Sequence, residues 1–286
     1  MDEKVRTARL SVISNTLLIL MKVAAGVLSG SVSIISEAIH SGMDLLASII
    51  AYLSVRISDK APDEKHPYGH GKYENISGVI EAILIFIAAG WIIFEAIEKI
   101  LSRSHIIKSQ ESIVIGAIVM MLSAIVNTLV SRKLYKVAKK TDSIALEADA
   151  LHLKTDVYTS LGVSLGLFLI WLTGWNFLDP IIAIAVALLI LKESFSLLNS
   201  AYSPLLDTSL SDDEIQTIKN VITAHSLSFH NLKTRKSGQF RFADLHLELP
   251  ATMELKKAHD LCDEIENEVK QKIKNIEFNI HIEPLE

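Results

Sequence analysis

The chain reads as an α-helical membrane protein with six transmembrane helices, followed by a small cytoplasmic α+β domain. Three observations predict this. Half of its 286 residues are hydrophobic, which is high for a soluble protein of this length. The apolar residues fall in runs of about 20, long enough to cross a roughly 30 Å hydrocarbon layer as helices. Beyond about Thr208 those runs stop, and Lys, Glu and Asp enter a short-period pattern, so a membrane domain over 1–207 and a soluble domain over 208–286 are expected.

The expected spans are 10–28, 33–55, 76–100, 113–135, 145–172 and 180–198. Lys4, Arg6 and Arg9 before the first run resemble the start of a signal peptide. No Ala-x-Ala-like cleavage site follows, however, and the run is longer than a usual signal core, so it is read as a spanning helix. The short connections 29–31 and 173–179 carry no Lys or Arg, whereas the N-terminus, the segment with Lys60, Lys65 and Lys72, and the cluster Arg132, Lys133, Lys136, Lys139 and Lys140 are basic. The positive-inside rule then puts both termini in the cytoplasm, against the minority vote of Lys99, Arg103 and Lys108. A net charge of -5 and the lack of a basic arm with interleaved aromatics give nucleic-acid binding no support. Cys262 is the single cysteine, which excludes an intrachain disulfide and fits a reducing compartment.

Two spans carry the same unusual spacing. His40 and Asp44 in the second, and His152 and Asp156 in the fifth, each lie one helical turn apart on one face. An ionisable group at the bilayer centre costs roughly 2.5 to 3.5 kcal/mol, so such pairs are not expected to be idle. In the inferred topology the two spans are antiparallel and the pairs lie at similar depth. Together they offer two imidazoles and two carboxylates, a set suited to a tetrahedral zinc-like ion. Small neighbours such as Ala38, Ser41, Gly42, Ala148 and Ala150 let the helices approach. A polar interhelical contact is the bland alternative for either pair alone. Lys22, Glu37 and Glu81 also fall within spans, where they either serve a proton path or pair with one another.

The loop 61–72 is marked by Pro and Gly, and Asp63, His66 and His70 in it could clamp a second ion near the cytoplasmic surface, the alternative being a solvated turn. In the soluble part, Ser211 with Glu214 forms a capping-box signature for a helix ending near residues 224–226. Strands are expected over 228–234 and 240–249, joined through Arg235-Lys236-Ser237-Gly238, then a helix over 255–273 and a strand over 276–282. That order suggests a small α+β sandwich with an antiparallel pairing and its helices on one face. Alternation puts Leu245, Leu247 and Leu249 on one face and Ile276, Phe278, Ile280 and Ile282 on another apolar face, so His246 and His281 point to the less apolar side. His230, His246, His259, His281 and Glu283 could form one or more surface metal sites or be solvated. Cys262 falls on the apolar stripe of the second helix, as a small hydrophobe.

With its six spans, the two His-x-x-x-Asp pairs, the loop His66-Pro67-Tyr68-Gly69-His70-Gly71-Lys72 and the stretch Asn231-Leu232-Lys233-Thr234-Arg235-Lys236-Ser237-Gly238, the sequence resembles the cation diffusion facilitators of the bacterial zinc-exporting type. The resemblance implies a homodimer in the plasma (inner) membrane, with a ferredoxin-like, metallochaperone-like cytoplasmic domain. It also implies export of a divalent cation, Zn2+ above all, driven by proton antiport. By position it assigns His40, Asp44, His152 and Asp156 to transport, Asp63, His66 and His70 to the loop site, and His230, His246, His259 and His281 to the cytoplasmic sites, with Glu283 where many relatives have Asp. Relatives resembling manganese exporters present only carboxylates, whereas two imidazoles suit zinc better; Cd2+, Fe2+, Co2+ and Ni2+ stay open as cargo. No organic cofactor is implied. A rival reading is a non-transporting metal receptor or assembly scaffold. An enzyme is disfavoured, for neither a His-Glu-x-x-His nor a Walker A sequence is present.

Overall fold

A computed structural model describes residues 3–29, 32–102, 110–173 and 178–285. It divides into two compact units, one ending at Ala201 and one beginning at Tyr202.

The first unit is helical: α1 (Glu3–Ser29), α2 (Val32–Ser58), α3 (Lys72–Ser102), α4 (Gln110–Thr141), α5 (Ile144–Thr173) and α6 (Leu178–Tyr202). Charged residues carry some helices well past their apolar runs: α1 starts at Glu3 and α4 continues through Lys139 and Lys140. Among the described residues, four stretches are long and apolar enough to cross a membrane: Glu3–Leu28, Ser41–Ser58, Lys72–Glu98 and Pro180–Leu206. The side chains of 110–117 in α4 and 163–173 in α5, which belong to the other two expected spans, lie outside the described residues.

Side-chain bonds between helices give their directions. Lys22 pairs with Ser41, Asn15 with the Asp44 carbonyl and Lys4 with Asp59, so α1 and α2 are antiparallel. Ser131 bonds the Ala150 carbonyl and Lys139 bonds Glu147, which makes α4 and α5 antiparallel. Asn75 reaches Ala201 and Ser194 reaches Ala82, and α3 and α6 are antiparallel too. The helices approach over small residues, as membrane helices do. Ala47, Ala51, Ala82, Ala145, Ala148 and Ala150 are buried, and a Cβ on Gly78 would stand 2.6 Å from Ile144 Cγ2.

A buried ionic knot ties four helix ends together. Lys4 Nζ donates to Glu74 Oε1 at 2.7 Å and to Asp59 Oδ1 at 2.9 Å. Ser58 Oγ donates to the same Glu74 oxygen at 2.7 Å and Ser143 Oγ donates to the other. Lys4 and Glu74 have almost no solvent exposure, so this charge pair is tolerable only because every oxygen of Glu74 is hydrogen-bonded.

The second unit begins with a short 3-10 turn (Ser203–Leu206), then α7 (Asp212–Ala224), β1 (Ser228–Ser237), β2 (Phe240–Leu249), α8 (Leu255–Lys272) and β3 (Ile276–Pro284). The capping box forms as expected: the Glu214 backbone N–H donates to Ser211 Oγ, and the Glu214 carboxylate accepts from the Ser211 N–H. Burial works against the Glu214 carboxylate, but Arg241 and Ser211 donate to it and hold it below its ordinary value. The expected connection through 235–238 is shorter than expected. β1 runs to Ser237, and Gly238, at φ +57°, opens a two-residue turn of the mirror-image kind that hairpins favour.

The sheet order is β1-β2-β3, with β1 antiparallel to β2 and β3 parallel to it through the α8 crossover. The core lies under Leu245, Leu247 and Leu249, where Ile218, Val221 and Ile222 of α7 and Ala258, Cys262, Ile265 and Val269 of α8 pack. Both helices therefore cover one face, and the other face carries the strand histidines.

Candidate metal centres

Three clusters of His and carboxylate side chains have ligand atoms within 4.8 Å of one another among the described residues: Asp44, His152 and Asp156; Asp63, His66 and His70; and His230, His246 and Glu283.

The first joins α2 to α5. His152 Nε2 lies 3.1 Å from Asp44 Oδ1, and both side chains are about nine-tenths buried. The His152 Nδ1 is buried with no hydrogen-bond partner among the described residues, so the ring presents an unsatisfied nitrogen to the interior. Leaving a buried polar atom unpaired is costly unless it has a task. His40 lies one turn before Asp44 on α2, and its side chain lies outside the described residues; the same holds for Glu37. Lys22 donates to Ser41 Oγ at 2.6 Å and Glu81 accepts from Ser77 Oγ at 3.1 Å, so neither is paired with the other through these contacts. One turn before His152, Asp149 is fully buried and in reach of Ser11, with both carboxylate oxygens lacking a hydrogen bond of ordinary geometry among the described residues. Asp149 is not among the ligand candidates that the His-x-x-x-Asp pattern singles out. Its signal was the i, i+3 spacing to His152, which puts it on the ligand face.

The loop cluster is built by an Asx turn. Asp63 Oδ1 accepts the backbone N–H groups of Lys65 and His66 at 3.0 and 2.7 Å, and Gly69, at φ +79°, turns the chain back. Asp63 Oδ1 then sits 3.0 Å from His66 Nδ1 and its Oδ2 3.4 Å from His70 Nε2. The N–H groups aimed at Asp63, that of His66 foremost, hold its carboxyl below the ordinary value, so it stays an anion ready for a cation. His70 is buried and its Nδ1 has no hydrogen-bond partner among the described residues.

The sheet cluster follows from register. His230 faces His246 across β1 and β2, and His246 faces His281 across β2 and β3, so three imidazoles form a row. Glu283 spans it, with Oε2 3.1 Å from His230 Nε2 and Oε1 2.7 Å from His246 Nδ1. His281 is 3.8 Å from the same carboxylate. Glu248, opposite Glu283 in register, adds a carboxylate 3.0 Å from His230. It was not anticipated, although its place two residues after His246 on β2 puts it on the same face. His259 does not join this row. It stands on α8 beside Asp263 at 3.7 Å, and α8 covers the opposite face of the sheet.

A bundle of membrane-length helices with a buried His and carboxylate cluster between two of them, followed by a small α+β unit, is the build of a multi-pass membrane transporter of metal cations. The chain belongs to the cation efflux family: the model of the cation efflux transmembrane domain matches residues 8–206, and that of the cation efflux protein cytoplasmic domain matches residues 210–285. It is 33% identical to the uncharacterized transporter sll1263 of Synechocystis, over 93% of this chain and 86% of that one. It is 31% identical to the manganese efflux system protein MneP of Bacillus subtilis, over 98% and 95%. Identity to the cation-efflux pump FieF of Shewanella oneidensis is also 31%, over 98% and 93%. Of solved structures, the metal-bound C-terminal domain of the CzcD transporter from Thermotoga maritima is 28% identical over 25% of this chain and 87% of that one, with a TM-score of 0.25. The protein is thus a multi-pass membrane exporter of divalent metal cations.

Proposed function

We propose that the protein exports Zn2+ from the cytoplasm in exchange for protons, through His40, Asp44, His152 and Asp156. The observation that carries this reading is the buried cluster in which Asp44, His152 and Asp156 converge between α2 and α5. An imidazole among the donors favours zinc over manganese, which prefers oxygen. The family supports cation efflux in general, and MneP, a relative of similar identity, is a manganese efflux protein; competition between metals in flux decides the cargo.

Metal and proton compete for the same atoms. A ligating imidazole must be neutral and a ligating carboxylate ionised, and free imidazole titrates at about pH 6.5. Metal arriving from the cytoplasm displaces protons, and protons arriving from the other side displace metal. One site then alternates between two cargoes as the helices rock around it. His152 carries the exchange most directly, because one ring nitrogen already meets Asp44 and the other has no hydrogen-bond partner among the described residues.

The remaining assignments belong to the same reading. Both termini lie in the cytoplasm and the chain sits in the plasma (inner) membrane as a homodimer, with the transport domain over 1–207 and a metal-binding, dimerising domain over 208–286. Asp63, His66 and His70 take a second, exchangeable ion, and His230, His246, His281 and Glu283 hold regulatory metal, with His259 on the far face contributing only to a separate site. The donor sets fit Zn2+ in each case, since imidazole with carboxylate is a common zinc pairing.

The test is zinc flux in liposomes with and without an opposing proton gradient, beside Asp156→Ala. Gradient-stimulated flux that the variant loses is expected. Tight zinc binding with no flux under any gradient would favour a metal receptor or scaffold, and equal or faster flux of Mn2+, Fe2+, Cd2+, Co2+ or Ni2+ would reassign the cargo.

A further inference from the structure

Outside these clusters lies a groove of about 860 Å³ between α4, α5 and α6. It lies on the side of α5 turned away from the ion site. At 3.6 residues per turn, Lys154 and Tyr158 point opposite to His152 and Asp156.

Toward the end where Lys139 meets Glu147 the groove is lined by Arg132 and Lys136 of α4 and by the hydroxyls of Ser196 and Ser200 of α6. Toward the other end Val157 and Leu161 of α5, with Leu151 and Leu197 before them, supply apolar lining beside Lys154, Tyr158, Glu193 and Thr128. Four cations, Arg132, Lys136, Lys139 and Lys154, face two carboxylates, Glu147 and Glu193, which leaves a net charge of +2 (4 − 2).

The cations differ in how they are used. Lys139 is 2.6 Å from Glu147 and 5.2 Å from the Tyr135 ring centre. Lys154 lies over the Tyr158 ring at 5.3 Å and in electrostatic reach of Glu193. Arg132 and Lys136 are exposed and have no carboxylate partner among the described residues. A lysine such as Lys154 inside an apolar helix is expensive unless its ammonium reaches polar company. The groove therefore gathers positive charge over an apolar floor, on the outer face of helices that cross a membrane. What meets such a surface in a bilayer is lipid.

We propose that this groove binds one anionic phospholipid, its phosphate held by Arg132 and Lys136 and an acyl chain lying along Leu151, Val157 and Leu161. Charge complementarity selects an anionic headgroup over a zwitterionic one, because the two unpartnered cations are left without a counter-charge otherwise. The length of the groove selects a lipid over a small soluble anion, which would leave Leu151, Val157 and Leu161 uncovered. Tyr135, next to Lys136, fits the same placement, since an amphipathic ring favours the level of the headgroups.

The test uses the full-length protein in detergent, titrated with phosphatidylglycerol, with phosphatidylcholine of the same acyl chains, and with inorganic phosphate, and read by native mass spectrometry. Phosphatidylglycerol is expected to be retained over phosphatidylcholine. Arg132→Ala with Lys136→Ala should weaken its retention about 30-fold, the fold-change given by ~1 kcal/mol for each cation removed. A charge-matched control, Lys60→Ala with Lys133→Ala, should leave it unchanged, and the charge-conserving pair Arg132→Lys with Lys136→Arg should stay within about threefold of the parent. Four results would overturn the proposal: equal retention of the two lipids, equal loss in the control and groove variants, loss in the charge-conserving pair, or complete displacement of the lipid by inorganic phosphate. Absence of any adduct on the protein would do so as well, and would point to a second copy of the chain covering the groove.

Discussion

Lys4→Met is the most informative single substitution in the helical unit. Among the described residues it removes the only cation bonded to Glu74, leaving a buried carboxylate with two hydroxyl donors, Ser58 and Ser143. Breaking a buried ion pair from one side costs about 3–5 kcal/mol, because the remaining charge is uncompensated. At about 2–4 °C per kcal/mol for a domain of this size, the melting temperature in detergent should fall by about 6–20 °C. The double variant Lys4→Met with Glu74→Gln should recover most of that loss. The amide oxygen accepts from one of the two serines while its N–H can donate to the hydroxyl oxygen of the other, no charge is buried at Glu74, and Asp59, at 21% exposure, can be hydrated. The residual cost is then that of one or two imperfect hydrogen bonds, about 1–2 kcal/mol. The assay is thermal loss of the monodisperse peak in size-exclusion chromatography. A fall of less than about 2 °C in Lys4→Met, or a double variant no more stable than the single one, would refute the claim that paired charge holds these four helix ends together.

Gly78→Ala should cost about 1–3 kcal/mol by overpacking, since its Cβ would meet Ile144 Cγ2 at 2.6 Å and Ala201 Cβ at 2.9 Å, whereas Gly90→Ala, with nothing within 4 Å, should be tolerated; the same melting assay separates them. The C-terminal unit should lose stability in acid through Glu214. Its folded value lies below its ordinary 4.5, so its contribution is complete above that pH and is lost as pH falls through the lower folded value. Hydrogen exchange of α7 against pH should show this loss and Glu214→Gln should flatten it. Burial, with help from Glu266 and Asp263, pushes the Cys262 thiol up, so iodoacetamide at pH 7.5 should label the native protein slowly and the denatured protein fast, as read by mass spectrometry.

The parts of this molecule that were legible from sequence are those whose partners lie within one helical turn or one strand. His152 and Asp156 declare a shared face by spacing alone, as do the alternating leucines of β2. The Lys4, Asp59 and Glu74 knot was not legible, because its members are 55 and 70 residues apart and each, taken singly, looks like a solvated charge at a helix end. The parallel pairing of β3 was open for a similar reason: a strand following a helix can join a sheet in either direction, and only the α8 crossover settles it. His259 is a different case. The apolar stripe of α8 and the apolar face of β2 were both readable, and since those two must pack on each other, a histidine on the helix could have been placed on the far side of the sheet from His246.

The helix α5 links the ion site to the rest of the molecule in a way its average composition conceals. At 3.6 residues per turn, Asp149, His152 and Asp156 fall within an arc of about 60°, while Lys154 and Tyr158 lie roughly opposite. An apolar helix with ionisable groups on both sides cannot be a passive wall, because each group needs company and the two sets need it in opposite directions. Asp44 of α2 supplies it on one side, and the basic groove shared with α4 and α6 supplies it on the other. Whatever fills that groove bears directly on the helix that carries His152 and Asp156. An occupant that prefers one tilt of α5 must therefore shift the population of states in which those ligands meet Asp44, by no more than its own difference in affinity between them.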